Sequence, residues 1–304
     1  MRRVVQLGAY IDLRRSLHVL RHGANDPTVR LDESVVWRAT RTPDGPATAS
    51  YRLRPGEASV QVEVWGAGGS RLLEHAPALL GVDDAAADFA TLVDRHRIVH
   101  ELHRRLPGLR VIRSNAVFEA LVPTILRQRV TSVEATRAWR QLVFRYGEPA
   151  PGPSELRLRL PPDPDVLATV PYHDLHRLGV ERQRAETLRR ASAQARRIEE
   201  AVSMPLADAR RRLVAIAGVG SWTAAEVAAV ALGDPDAVPV GDYHMPHDVA
   251  WALAGEPRGS DERMLELLAP FAGHRGRVCQ LVAWGGRHAP RRGPRLPVSR
   301  MREW

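Results

Sequence analysis

The chain has 304 residues, and 44 Lys plus Arg against 35 Asp plus Glu give a formal net charge of +9 and a pI near 10.8. That balance suits a phosphate-rich ligand, and because the sequence contains no lysine, every fixed positive side chain is an arginine, the better bidentate phosphate ligand. A single cysteine, Cys279 in an apolar stretch, excludes an internal disulfide and a four-cysteine iron–sulfur cluster, and no apolar run reaches the roughly 18 residues of a membrane-spanning helix. The opening MRRVVQLGAYIDL lacks the apolar core of a signal peptide, so a cytoplasmic protein is expected.

In chain order, an amphipathic helix is predicted over residues 14–21. Residues 35–65 read as a meander. SVVWRATRT, a turn at Pro43-Asp44-Gly45, TASYRLR, a turn at Pro55-Gly56, and SVQVEVW follow in turn, the last alternating strictly at Val60, Val62 and Val64. Helices are predicted over 72–80 and 85–103, which closes an α+β domain over residues 1–106. From residue 111 strand signals nearly vanish. Ser114-Asn115 reads as the cap of a helix over 116–127 that contains Pro123, and Thr131-Ser132-Val133-Glu134 is a capping box opening a helix that runs to Tyr146 and stops at Gly147. Residues 149–164 hold six prolines and read as a connector over the surface, followed by helices over 165–170, 174–178, 181–202 and 206–217. The fold class is α+β: an N-terminal antiparallel sheet domain with helices, then an all-α domain over 107–304 with a helical hairpin at 213–232.

The hairpin carries the chemistry. Two apolar helices flank Gly218-Val219-Gly220, and such a turn exposes backbone N–H groups at the second helix's N-terminus, where the helix dipole favours an anion such as a DNA phosphate. Gly218, Val219, Gly220 and Thr223 are the candidate clamp, against the plainer alternative that the glycines only permit positive φ. Asp242 follows as an isolated carboxylate. It can also cap a helix that continues through Val249-Ala250-Trp251, and Pro246 puts the start of that helix nearer Met245. The two roles agree, because capping N–H groups stabilise the ionised form. His244 and His247 stand three apart without a third ligand, so no side-chain metal site is expected.

The GVGSW turn followed by VPVGDY resembles the helix-hairpin-helix DNA glycosylases (the HhH-GPD superfamily), in which a Gly/Pro-rich loop after the hairpin leads to a catalytic Asp. GLRVIRSNAVFEALVPTILRQRVTSVEATRAW resembles the segment that opens the helical domain of bacterial 3-methyladenine DNA glycosylase II, and LGVERQRAETL is similar to that family's second signature. The resemblance implies a helical domain in two lobes and a monofunctional glycosylase of base excision repair. Such an enzyme hydrolyses the N-glycosidic bond of purines alkylated at N3 or N7 and flipped out of double-stranded DNA.

In that reading Asp242 is catalytic, because one carboxylate stabilises the oxocarbenium-like sugar while an already cationic base leaves without an acid. Trp222, Glu226 and Tyr243 fall to the base pocket, and Gln128 and Arg129 to the position that fills the emptied duplex. Arg113, Arg127 and Arg137 are expected phosphate contacts, and the hairpin carbonyls of Ala215, Ala217 and neighbouring Val219 a site for a sodium or potassium ion. The expected partner is damaged duplex DNA, bound by a nucleoid-associated monomer, with the basic, Pro-rich stretch from Arg291 adding attraction.

Relatives that also nick the strand use a lysine after the turn. Here that position is Trp222, and no side-chain amine exists to form a Schiff base. Further departures are Arg129 in place of an apolar wedge, and Glu226, Arg275 and Val19 where aromatic residues are usual. They predict a pocket with fewer rings and an added acid. Two alternatives follow: a glycosylase for bulkier cationic adducts, or a catalytically weak lesion-binding protein.

Overall fold

The computed structural model describes residues 1–290 apart from Pro55, Ala85 and Arg287, so Pro55 of the expected turn and the basic stretch from Arg291 lie outside the described residues. The N-terminal part is a five-stranded antiparallel sheet of order β1-β5-β4-β3-β2, built from β1 (Arg2–Gln6), β2 (Val29–Leu31), β3 (Val35–Thr42), β4 (Gly45–Leu53) and β5 (Ser59–Trp65). The three-strand meander is present, and β5 buries Val60, Val62 and Val64 as its alternation requires. The two edge strands escape a sequence reading because they are short: β2 has three residues, and β1 buries only Val5.

Between β1 and β2, α1 (Leu13–Leu17) is capped by Asp12, whose carboxylate accepts from the Arg15 N–H at 2.9 Å, and a single 3-10 turn then carries His18 to Leu20. The following loop is tied to the helical part by buried Asp26, which accepts from the His22 N–H at 2.6 Å, the Thr28 N–H at 2.8 Å and the Trp139 indole at 3.1 Å. One face of the sheet packs on α2 (Gly69–Leu79). The other face is covered by the proline-rich segment, which is no mere surface connector. Leu158 and Leu160 pack on Ala39, Trp37 stacks on Trp65 at 5.5 Å, and the Arg159 N–H donates to the Pro27 carbonyl at 2.8 Å. Its prolines signalled the lack of regular structure, while its Leu-x-Leu pair had already supplied the apolar contacts.

The helix expected over 85–103 is broken into α3 (Ala86–Ala90), a 3-10 turn and α4 (Arg97–Arg105). Phe89, Val99 and Leu102 share a core with Val249, Met264, Phe271, Val278 and Val282 from the far end of the chain rather than with the sheet. The second helical core gathers α5 (Val117–Leu126), α6 (Ser132–Tyr146), α7 (Pro164–Thr169), α8 (Tyr172–Arg177), α9 (Arg182–Ala193) and α10 (Ala195–Glu199), with Leu121, Ile125, Leu142 and Leu188 fully buried.

Helix α6 opens on the expected capping box, the Glu134 N–H donating to Thr131 Oγ1 at 3.3 Å and the Thr131 N–H to Glu134 Oε2 at 2.9 Å. Helix α5 does not use the expected Ser114-Asn115 cap. The Glu199 carboxylate, from the end of α10, accepts from the Val117 and Phe118 N–H groups at 3.0 and 2.7 Å. The span 181–202 likewise divides, into α9, α10 and a 3-10 turn.

The hairpin consists of α11 (Leu206–Val214), a turn, and α12 (Ser221–Val227), which widens into a π turn over Ala228–Leu232. Gly218 sits at φ +98°, and a Cβ there would come within 2.0 Å of Thr187 Oγ1 on α9, so both the backbone and the packing require glycine. The chain then forms α13 (Met245–Ala254), α14 (Asp261–Leu268) and α15 (Arg275–Gly285). Arg277 of α15 forms a buried ion pair with Asp84 in the segment leaving α2, the two side chains 5% and 3% exposed. No described helix is long and apolar enough to cross a membrane.

Two stability changes are expected. Arg277→Ala strands the Asp84 carboxylate in the interior and should cost about 3–5 kcal/mol in urea unfolding. Gly218→Ala should cost about 1–3 kcal/mol, read as a lowered thermal midpoint. An unchanged midpoint in either variant contradicts the packing that predicts it.

Candidate active site

Asp242 lies between the hairpin and α13, and its carboxylate is fixed from both ends. Oδ1 accepts from the His244 and Met245 N–H groups at 2.8 and 2.9 Å, and Oδ2 accepts from Trp222 Nε1 at 3.0 Å. Helix α13 begins at Met245, with Pro246 in its first turn where a missing N–H costs nothing. The preceding residue, Gly241, has φ +92° and donates its N–H to both oxygens of Asp261 at 3.1 and 3.0 Å, which pins the loop to the start of α14. The result is a half-exposed carboxylate with its orientation set by three donors, beside the amide end of α12.

Trp222 binds Asp242 through its edge, and one face of its ring is occupied. The Arg127 guanidinium stands 5.5 Å from the ring centroid and forms an ion pair with Glu226 at 2.8 Å. Burial pushes the Glu226 carboxyl above its usual range, Arg127 opposes this, and the nearby Asp242 charge adds to it. Arg127 is therefore an internal partner rather than a free phosphate contact. Arg113 lies 3.8 Å from Asp83, and Arg137 is exposed.

A cavity of about 560 Å³ opens next to this group, and Arg127, Glu226, Pro239 and Met245 form part of its wall. The non-aromatic Glu226 and Val19 do not leave the wall without rings. Trp139 and Trp284 line the cavity, with His22 edge-on to Trp139 at 5.4 Å and His18 edge-on to Trp284 at 5.1 Å. Desolvation by burial, the largest cause, lowers both histidines below their ordinary range and favours neutral rings. Val19 does line the wall, whereas Arg275 is absent from it and instead grips Asp236 through Nε at 2.8 Å. The rings come from α6, α15 and the sheet domain, outside the hairpin motif.

Tyr243, expected in the pocket, is 78% exposed, sits edge-on to His244 and is not part of the cavity wall. Tyr243 is turned outward, while the Asp242 carboxylate, itself outside the cavity wall, bonds Trp222. Thr223 is buried and its hydroxyl accepts from Gln128 at 2.9 Å, so its side chain cannot serve a phosphate clamp. Val219 is buried too and spends its N–H on the Ile216 carbonyl at 2.9 Å. Gly220 faces open space, and the first turn of α12 behind it has no preceding carbonyls for its N–H groups.

Gln128 does not take the expected duplex-facing position either. Its amide donates to the Gly218 carbonyl at 3.0 Å and to Thr223, bracing α5 against the hairpin instead of reaching outward. Its neighbour Arg129 is exposed and takes a left-handed backbone, φ +54°, which lifts the side chain away from the end of α5. His247 Nδ1 accepts from the Gly259 N–H at 3.1 Å, a structural role.

Residues 122–271 match the family described as HhH-GPD superfamily base excision DNA repair protein. A probable bifunctional transcriptional activator/DNA repair enzyme AlkA of Mycobacterium tuberculosis is 31% identical over 140 residues, covering 45% of this chain and 28% of that protein. A DNA-3-methyladenine glycosylase of Bacillus subtilis is 27% identical over 173 residues, 55% of this chain and 56% of the relative. The chain thus spans between about a quarter and just over half the length of these curated relatives. Among solved structures, the 3-methyladenine DNA-glycosylase from Archaeoglobus fulgidus superposes with a TM-score of 0.78 at 18% identity, covering 93% of this chain and 98% of the other, which extends the shared fold to the sheet domain. Residues 122–271 of the chain, just under half of it, belong to the HhH-GPD superfamily of base excision DNA repair proteins.

Proposed function

We propose that this protein is a monofunctional DNA glycosylase that hydrolyses the N-glycosidic bond of purines alkylated at N3 or N7 and flipped out of duplex DNA. The observation that carries this reading is the Asp242 carboxylate, oriented by Trp222 and two peptide N–H groups, beside both an amide helix end and a cavity. As the bond to the base lengthens, positive charge grows on the sugar, and a carboxylate already held in place stabilises it without reorganising. The same oxygen can orient the attacking water. A base alkylated at a ring nitrogen carries its own positive charge and departs without a proton donor.

The strand would be gripped by the amide end of α12 behind Gly220, and the exposed Arg129 is the side chain available to enter the emptied stack. The turn directs the Ile216 and Gly218 carbonyls inward to Val219 and Gln128, which leaves the oxygens of Ala215, Ala217 and Val219 as ligands for a monovalent cation that would stiffen the grip. Lacking any side-chain amine, the enzyme leaves an intact strand with an abasic site.

The size of the cavity favours a second reading within the same chemistry. A volume of about 560 Å³ falls in the range that holds drug-sized ligands. The indole and imidazole rings of its far wall would receive an aromatic or alkyl adduct larger than methyl.

Incubation with alkylated duplex DNA and mass spectrometry of the released base tests the assignment. The wild type should release 3-methyladenine or 7-methylguanine, and Asp242→Asn should be slower by about 10²–10³-fold. An Asp242→Asn variant as active as wild type removes Asp242 from the chemistry. Borohydride should trap no protein–DNA adduct, and a trapped adduct would restore a lyase step. Duplexes carrying 7-benzylguanine or 7-methylguanine decide the second reading: release of the benzyl adduct at a rate equal to or above that of the methyl adduct supports it, and release of the methyl base alone ends it.

A further inference from the structure

Arg127 occupies the place that a cationic base would need. Its guanidinium is a planar cation lying over the Trp222 ring at 5.5 Å, with its charge met by the Glu226 carboxylate at 2.8 Å. Both side chains are part of the cavity wall, and Arg127 stands at the last turn of α5 on a long stem with a side-chain exposure of 45%. A purine alkylated at N3 or N7 offers the same two features, a flat cation and hydrogen-bond donors at its rim.

We propose that Arg127 is a resident surrogate for the cationic base, and that substrate entry is an exchange of one cation for another on Trp222 and Glu226. The inference rests on the cationic-base reading above and adds the selection device. When a purinium cation enters, Arg127 swings toward solvent and Glu226 keeps a positive partner. When a neutral base enters, Glu226 loses its partner while Asp242 stands close by, and a largely covered carboxylate, its side chain 25% exposed, is disfavoured without a cation. The two residues have separable parts. Glu226 discriminates cation from neutral base, and Arg127 competes with every entrant and so sets the threshold that undamaged bases must pass.

A binding assay without DNA or turnover separates this inference from the glycosylase reading. The intact protein is titrated with 3,9-dimethyladeninium chloride, a stable purinium cation, and with neutral 9-methyladenine, and tryptophan fluorescence is followed. The wild type should prefer the purinium. Arg127→Ala should bind it about tenfold more tightly, because the competitor is gone, and Arg127→Gln, which keeps the packing of the stem, should shift in the same direction. Glu226→Gln should weaken purinium binding about tenfold and bring the two ligands close to parity.

The exchange is overturned if the wild type does not bind the purinium, if both Arg127 variants bind it no better than wild type, or if Glu226→Gln keeps the preference. Circular dichroism melts identify a variant that has lost its fold, in which case the partner variant at the same position decides. A wild type that prefers the purinium and releases no base from alkylated DNA would leave the exchange standing and remove the catalytic reading.

Discussion

Everything at the candidate site depends on how one carboxylate is held. Asp242 takes two N–H groups from the start of α13 on one oxygen and the Trp222 indole on the other, so its orientation is set by two separate helices meeting at one point. A carboxylate bound by several N–H donors is held in one orientation and costs little to keep in position. The hairpin, the Gly241 turn and the Asp261 anchor all converge on that geometry. Displacing any of them moves the charge relative to Pro239 and Met245, which line the neighbouring cavity.

The rest of the molecule supplies the rigidity that this arrangement needs. Buried Arg38 of β3 pairs with Glu119 of α5 at 2.8 Å, which locks the sheet to the helix that carries Arg127 and Gln128. Glu199 caps that same helix from α10, and Gln128 ties its far end to the hairpin turn. Helix α5 is thus held by polar contacts from three different elements, two of them in its first turn and the third just past its last residue. Its last turn is where the side chains of the cavity mouth originate.

What could be read from the sequence was what depends on neighbours along the chain. The alternation of Val60, Val62 and Val64, the Thr131–Glu134 capping box, the start of α13 near Met245 and the Gly218 turn all follow from local rules, and all are present. The features that were missed arise from residues far apart in sequence. The cap of α5 comes from Glu199, 82 positions from the Val117 N–H it satisfies, and Arg127 meets Glu226 across 99 positions. The cavity rings were missed for the same reason, since His22 and Trp139 lie 117 positions apart and meet beside Asp26, which bonds both the His22 N–H and the indole. Periodicity places Glu226 one turn beyond Trp222 but carries no sign of the arginine that lies between them. Tyr243 and Thr223 show the converse error, in which proximity along the chain suggested a shared task and the backbone turned them apart.

The division of the cavity wall between two parts of the chain has an evolutionary consequence. His18 and Val19 belong to the 3-10 turn after α1 and His22 to the loop behind it, none of them bonds Asp242, and the loop is tied to α6 through Asp26 and Trp139. Sequence drift there can reshape the space open to a ligand while the carboxylate and the hairpin stay untouched. Tuning what enters the cavity and preserving the hold on Asp242 are thus assigned to different stretches of polypeptide.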